Sequence, residues 1–173
     1  DDWVLTTYRS HFHSLLKGVP EEWLKQWILN NRSIHVMNSE YKIISSAIVG
    51  GTLAIATGIA LGIKMKKENR TVHVFVGDMT TKSGKFLECI EYSFNHKLPI
   101  KFICENNFLS TDTDTAEVWG TTKEELIKYF ETLKSKYNGI FDYVTYTRKH
   151  PHYGIGQFIL FKEDGLKQDG KNF

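Results

Sequence analysis

At 173 residues the chain has the length of one domain with a true core, and 41% hydrophobic and 13% aromatic residues describe an ordinary globular protein. A formal net charge of +2, with no basic block beyond Lys64-Met65-Lys66-Lys67, excludes bulk attraction to nucleic acid. Cys89 and Cys104 both sit in apolar runs; they form no disulfide framework and fit a reducing, cytoplasmic compartment. The chain opens on Asp1 without a methionine and shows no signal peptide, so a trimmed chain or a piece of a longer one is expected.

In chain order, Thr7 to His13 places two histidines two apart beside Arg9. Such a group suits phosphate or metal binding, and equally the start of a polar helix. Pro20 to Ile28 reads as a short helix, with Trp23/Trp27 and Leu24/Ile28 at i,i+4 as its packing face. His35 falls in a loop, as an ordinary surface or core histidine.

Ile43 to Ile63 carries no charge over 21 residues. That length spans a bilayer, and Lys64, Lys66 and Lys67 would flank it. Gly50, Gly51, Gly58 and Gly62, the diluting serines and threonines, and the strand that follows at once favour a buried helix instead. In that reading small residues let backbones approach, and the glycine pair comes close to a ligand.

Val72 to Asn107 is the most informative stretch. Val72, Val74, Phe75 and Val76 make a short buried strand closed by Gly77-Asp78. The period then becomes helical, with Phe86, Ile90 and Phe94 on one face and Leu87 beside them, until Lys97-Leu98-Pro99. Ile100 to Cys104 forms a second strand, closed by Asn106-Asn107. A strand-helix-strand unit of this kind is parallel and right-handed, which brings Asp78 and Asn107 to one rim of the sheet. A carboxylate, an amide oxygen and a nearby carbonyl form a hard-oxygen set suited to Mg²⁺ and, through it, to phosphates.

Beyond Asn107, Ser110 to Glu117 is a polar loop carrying Asp112 and Asp114. Thr121 or Thr122 caps a helix whose face is Leu126, Phe130, Leu133 and Tyr137, ended by Asn138-Gly139. Ile140 to Thr147 alternates as a third strand. Arg148-Lys149-His150-Pro151-His152 precedes a further strand at Gly156 to Lys162, and the tail from Glu163 reads as frayed.

Four blocks, in order, resemble the alpha subunit of the thiamine-diphosphate-dependent 2-oxo acid dehydrogenases, the pyruvate and branched-chain group. Tyr8 to His13 with Lys17-Gly18-Val19 resembles the family's Y-R-x-H-G-H…R-G. Ile48 to Gly51, with Gly58 to Leu61, is similar to its G-I-V-G-A-Q…G-I-A-L. Gly77-Asp78 through Pro99 to Asn107 follows its thiamine-diphosphate motif without a gap, Gly84 and Glu88 included. Arg148 to His152 resembles its R-Y-H-G-H.

The resemblance implies an α/β thiamine-diphosphate-binding fold over 1–173, a mostly parallel sheet flanked by helices. It implies Mg²⁺ held by Asp78, Asn107 and the Leu109 carbonyl. Tyr8 and Arg9 would contact the diphosphate, with Gly77 and Met79 beside it, and Val49 would lie against the aminopyrimidine. His152 and His150 would stand near the reacting centre, and His11 and His13 could face the same cavity. The substrate would be a small 2-oxo acid. The glutamate that activates the cofactor would come from a beta-type subunit carrying the pyrimidine-binding domain, in a heterotetramer, with a lipoyl-bearing protein as acyl acceptor. The same blocks also admit a transketolase-like or acyloin-type carbon–carbon transferase subunit. A membrane-anchored module built on Ile43 to Ile63 is the non-enzymatic alternative. Several positions depart from the family pattern: Met79 and Phe12 stand at glycines, as does Pro151, Thr52 stands at a glutamine, and Lys82 at a neutral amide.

Overall fold

Leu5 and Val4 point to opposite faces of the first strand, Trp3–Thr7 (β1), and so anchor two separate apolar clusters. The computed structural model describes residues 1–8, 10–32, 35–148, 158–162 and 165–169. After β1 come His11–Leu16 (α1) and Glu21–Leu29 (α2), the latter starting directly after Pro20. Trp23 and Trp27 stack with ring centroids 4.7 Å apart, as their spacing predicts. Met37–Asn38 (β2) and Ile43–Ser46 (β3) follow, then Leu53–Met65 (α3).

The uncharged run is therefore not one helix. Ile43 and Ile44, β-branched and followed by two serines, pair with β1 as a strand, and the turn through Gly50 at φ +70° separates them from α3. Nor do Gly58 and Gly62 serve close packing, since a Cβ at either would meet nothing within 4 Å. Leu53, Ala56, Ala60 and Ile63 form the buried face of α3. Among the described residues no helix is long and apolar enough to cross a membrane.

Val72–Gly77 (β4), a single turn at Asp78–Thr81 (α4), Gly84–Asn95 (α5) and Ile100–Asn106 (β5) form the expected parallel unit, with Val72 opposite Ile100 and Gly77 opposite Glu105. Ser83 caps α5 by accepting the Phe86 N–H. The inward face of α5 is Phe86, Cys89, Ile90 and Ser93; Leu87 and Phe94 are about 40% exposed, because the buried arc is rotated from the expected face toward Cys89 and Ser93. Leu109–Ser110 (β6) and Thr113–Asp114 (β7) make a small hairpin in the loop that follows.

Thr115–Val118 (α6) and Lys123–Lys136 (α7) come next, and α7 opens with a capping box between Thr122 and Glu125. Phe141–Thr145 (β8) ends the main sheet. Phe158–Lys162 (β9) and Gly165–Asp169 (β10) pair antiparallel, so part of the tail expected to fray is a strand.

The six-stranded sheet has the order β2-β3-β1-β4-β5-β8, parallel throughout except for the β2 edge. This is the α/β, mostly parallel sheet flanked by helices that the sequence leads one to expect. Chain order runs from β1 to β3 in one direction and from β3 through β4 and β5 to β8 in the other. Right-handed crossovers then place α1 and α2 on one face and α3, α5 and α7 on the other. The clusters agree: Val19, Leu24, Val36 and Ile43 gather on the α2 side, while Phe86, Phe102, Leu126 and Phe130 gather with α3 and α5 on the other. Cys89 and Cys104 are both buried and free.

Candidate functional site

β1 and β4 lie side by side, yet their onward connections leave in opposite directions, so no helix among the described residues covers the gap above their carboxyl ends. Ligands of open α/β sheets bind at such a switch point. A cleft of about 100 Å³ opens there. Its walls come from the carboxyl ends of the strands: Thr7 and Tyr8 at the end of β1, Ser46 to Val49 at the end of β3, Gly77 to Thr80 at the end of β4, Glu105 and Asn107 at the end of β5, and Tyr146 after β8. Leu109, Ser110 and Thr111 close one side.

Asp78 is the buried charge of this cleft, only 1% exposed. Extended Gly77, at ψ 161°, turns the chain out of β4 so that Asp78 becomes the first residue of α4. Among the described residues its Oδ2 has no hydrogen-bond partner. Burial pushes its pKa upward, against the opposing pull of the Thr115 hydroxyl, its own N–H and the Asn107 N–H. The Thr115 hydroxyl is itself buried beside this carboxylate and has no close hydrogen-bond partner among the described residues. Asn107 is 9% exposed; its Oδ1 accepts the Leu109 N–H at 3.0 Å and retains a second lone pair.

These groups fit a hard divalent cation. An unsatisfied buried carboxylate oxygen and an amide oxygen are the donor types Mg²⁺ takes, with water and phosphate completing its shell. No group of three or more His, Cys, Asp or Glu side chains able to hold a metal occurs among the described residues.

Of the other expected site residues, Tyr8, Val49, Gly77, Met79 and Leu109 line the cleft. His13 stands behind its wall: Nε2 lies 3.8 Å from Glu105 Oε1, and its ring packs 4.4 Å from that of Phe75. His11 begins α1, and neither histidine is among the described lining residues. Arg9, His150 and His152 lie outside the described residues. Met79 directs its sulfur to the Trp119 indole N–H at 3.0 Å. Asp114 caps α6 through the Ala116 and Glu117 N–H groups, and Asp112 pairs with Arg148; neither is a cleft residue. Sequence reasoning passed over Glu105, Ser46 and Tyr146. The signal that finds them is positional, because each lies within one residue of the carboxyl end of a parallel strand.

The family model described as "Dehydrogenase E1 component" matches residues 1–125, and the chain belongs to that family. The chain is similar to the pyruvate dehydrogenase E1 component subunit alpha of Porphyra purpurea, 32% identical over 61% of this chain and 36% of that protein. The chloroplastic subunit alpha-3 of Arabidopsis thaliana is 29% identical over 68% of this chain and 33% of its own length. The Rickettsia bellii subunit alpha is 27% identical over 79% and 44%. The chain thus spans well under half the length of these relatives. A Mycobacterium smegmatis structure, provisionally described as a thiamin diphosphate-dependent enzyme, overlies 86% of this chain and 29% of its own at 18% identity and a TM-score of 0.49.

Proposed function

We propose that this chain is the alpha-type part of a split thiamine-diphosphate enzyme that decarboxylates a 2-oxo acid and passes on the acyl group. The observation that carries the reading is Asp78, a buried carboxylate with an unsatisfied oxygen, placed at the sheet's switch point beside Asn107. Membership of the E1 component family supports the same assignment.

Asp78, Asn107 and the Leu109 carbonyl would hold Mg²⁺. Tyr8 and Arg9 would orient the diphosphate, a task that suits a guanidinium fork. The backbone at Val49 would lie against the aminopyrimidine. When bound, thiamine diphosphate supplies an electron sink for the carbon that loses carbon dioxide. His152 and His150, with His11 and His13 further back, would move protons at the reacting centre and stabilise developing charge.

A cleft of about 100 Å³ is small for such a cofactor, since sites that enclose a ligand of this size usually run to several hundred Å³. This supports a site completed by another chain. That partner would be a beta-type subunit bringing the pyrimidine half and the activating glutamate, in a heterotetramer, with a lipoyl-bearing protein as acceptor. Two buried free cysteines support a reducing, cytoplasmic setting.

Calorimetry tests the reading. The chain alone should bind thiamine diphosphate weakly and only with Mg²⁺, more tightly with a beta-type subunit, and not at all as Asp78→Ala. Unchanged binding in Asp78→Ala would sink the metal assignment, and full decarboxylation by the isolated chain would sink the split site.

A further inference from the structure

The register of two strands gives the cleft a residue that no motif marks. β5 and β8 pair with Asn106 opposite Thr145, and on the next rung the Tyr146 N–H reaches the Asn106 carbonyl at 2.9 Å. The Asn106 side chain adds to this by donating to Thr145 Oγ1 at 3.1 Å. The rung sets the Tyr146 hydroxyl against the next side chain, where Asn107 Nδ2 donates to it at 3.3 Å. At the other end of that amide, Oδ1 accepts the Leu109 N–H at 3.0 Å. A backbone N–H can only donate, so the oxygen must face Leu109 and the nitrogen must face Tyr146.

We infer that Tyr146 is a positioning residue: by accepting from Nδ2, its hydroxyl holds the Asn107 amide in the orientation that the Leu109 N–H selects, with the oxygen turned toward a divalent cation beside Asp78. The inference rests on the reading of Asp78 and Asn107 as a Mg²⁺ pair. Asn107 is nearly buried, and a flipped amide would set two N–H donors where a cation needs an oxygen. The Leu109 contact restrains only one end. Leu109 belongs to a two-residue strand and follows Phe108, which holds a left-handed φ of +59°. Tyr146, one step past edge strand β8, is tied to β5 by its N–H bond to the Asn106 carbonyl, so it restrains the other end. Partners of this kind, one step behind a metal ligand, keep that ligand's donor atom aimed.

The test titrates the full chain with Mn²⁺ in the presence of thiamine diphosphate and reads the free ion by electron paramagnetic resonance. Tyr146→Phe should raise the Mn²⁺ Kd roughly tenfold. In Asn107→Asp both ends of the side chain are oxygen, so orientation ceases to matter. That variant should still bind Mn²⁺, and adding Tyr146→Phe to it should change Kd by less than about twofold. The inference is overturned if Tyr146→Phe binds within twofold of wild type, if Asn107→Asp fails to bind, or if the loss is as large in both backgrounds. In each of these cases wild-type binding, abolished by Asp78→Ala, leaves the proposed function standing. Absence of saturable Mn²⁺ binding by the wild-type chain would overturn both.

Discussion

Lys82 holds its ammonium 3.8 Å from the centroid of the Tyr129 ring, and Tyr129 donates its hydroxyl proton to the Thr81 carbonyl at 2.7 Å. The charged residue that stands where the family has a neutral amide is thus held by α7, and it is not among the described residues lining the cleft. Its contact joins the turn after Asp78 to the long helix. A cation over an aromatic face is worth about 0.5–1 kcal/mol at a partly exposed site. Lys82→Ala should therefore lower stability in urea by about that amount and leave Mg²⁺-dependent cofactor affinity unchanged. A tenfold change in that affinity would return Lys82 to the site.

Tyr129 makes the same contact pH-dependent. Burial pushes its phenol from the usual 10 up to about 12. A raised pKa in the folded state means the neutral form is favoured, so this stability is complete below pH 10 and is lost as pH rises from 10 to 12. Tyr143, raised to about 12 chiefly by its hydrogen bond to Glu131, falls in the same window. Tyr129→Phe should therefore reduce, without abolishing, the fall in Tm above pH 10. It should also cost about 1 kcal/mol at pH 7 for the lost hydrogen bond. Identical Tm profiles above pH 10 for the two proteins would refute the assignment.

Asp78 trades stability for binding. Burial raises its pKa, so the folded chain favours the neutral carboxyl; this contribution is present below the ordinary value of 3.8 and is lost as pH rises through the raised one. At neutral pH the metal-free chain carries an undercompensated charge. Asp78→Asn should stabilise that form by about 1 kcal/mol in urea, because it removes a buried unsatisfied charge. Wild type with cofactor and Mg²⁺ at about 100 times Kd should gain about 2.7 kcal/mol, and Asp78→Asn should gain none. A metal-free Asp78→Asn less stable than wild type would show that the carboxylate is structural.

The pairing of Asp78 with Asn107 is legible in the sequence because each closes a run of buried β residues. Parallel pairing then leaves such runs no choice but to end on one rim. The capping of α7 is legible for a similar reason, since Thr122 and Glu125 bond each other within four residues. β1 is not: Trp3–Thr7 offers only two aliphatic residues before the threonines, and its place at the sheet's centre is decided by pairing with β3 and β4. The division of Ile43 to Ile63 into strand and helix is hidden as well, because small or apolar residues such as Ala54, Ile55 and Gly58 occupy even the exposed face of α3 and blur its periodicity. Tyr146 reaches Asn107 only through the register of β8, which no local pattern encodes.

Two glycines of the family-like stretch should respond oppositely to alanine. Gly58 lies exposed within α3, and a Cβ there would meet nothing within 4 Å. Gly58→Ala should stabilise the chain by about 0.5–1 kcal/mol through helix propensity alone. Gly51 lies in the turn between β3 and α3, and a Cβ there would stand 3.0 Å from both the Ile48 carbonyl oxygen and Ser46 Oγ. The carbonyl belongs to the backbone and cannot rotate away, so Gly51→Ala must displace residues 46–49, which form one wall of the cleft. Its stability should fall by about 1 kcal/mol, while Mg²⁺-dependent thiamine-diphosphate affinity should fall about tenfold, the scale on which a displacement of 1 Å or less acts on an ordered site. Urea denaturation and calorimetry on both variants separate the two effects. Wild-type affinity in Gly51→Ala would mean that the 46–49 wall does not touch the cofactor, and the Val49 assignment would fall with it.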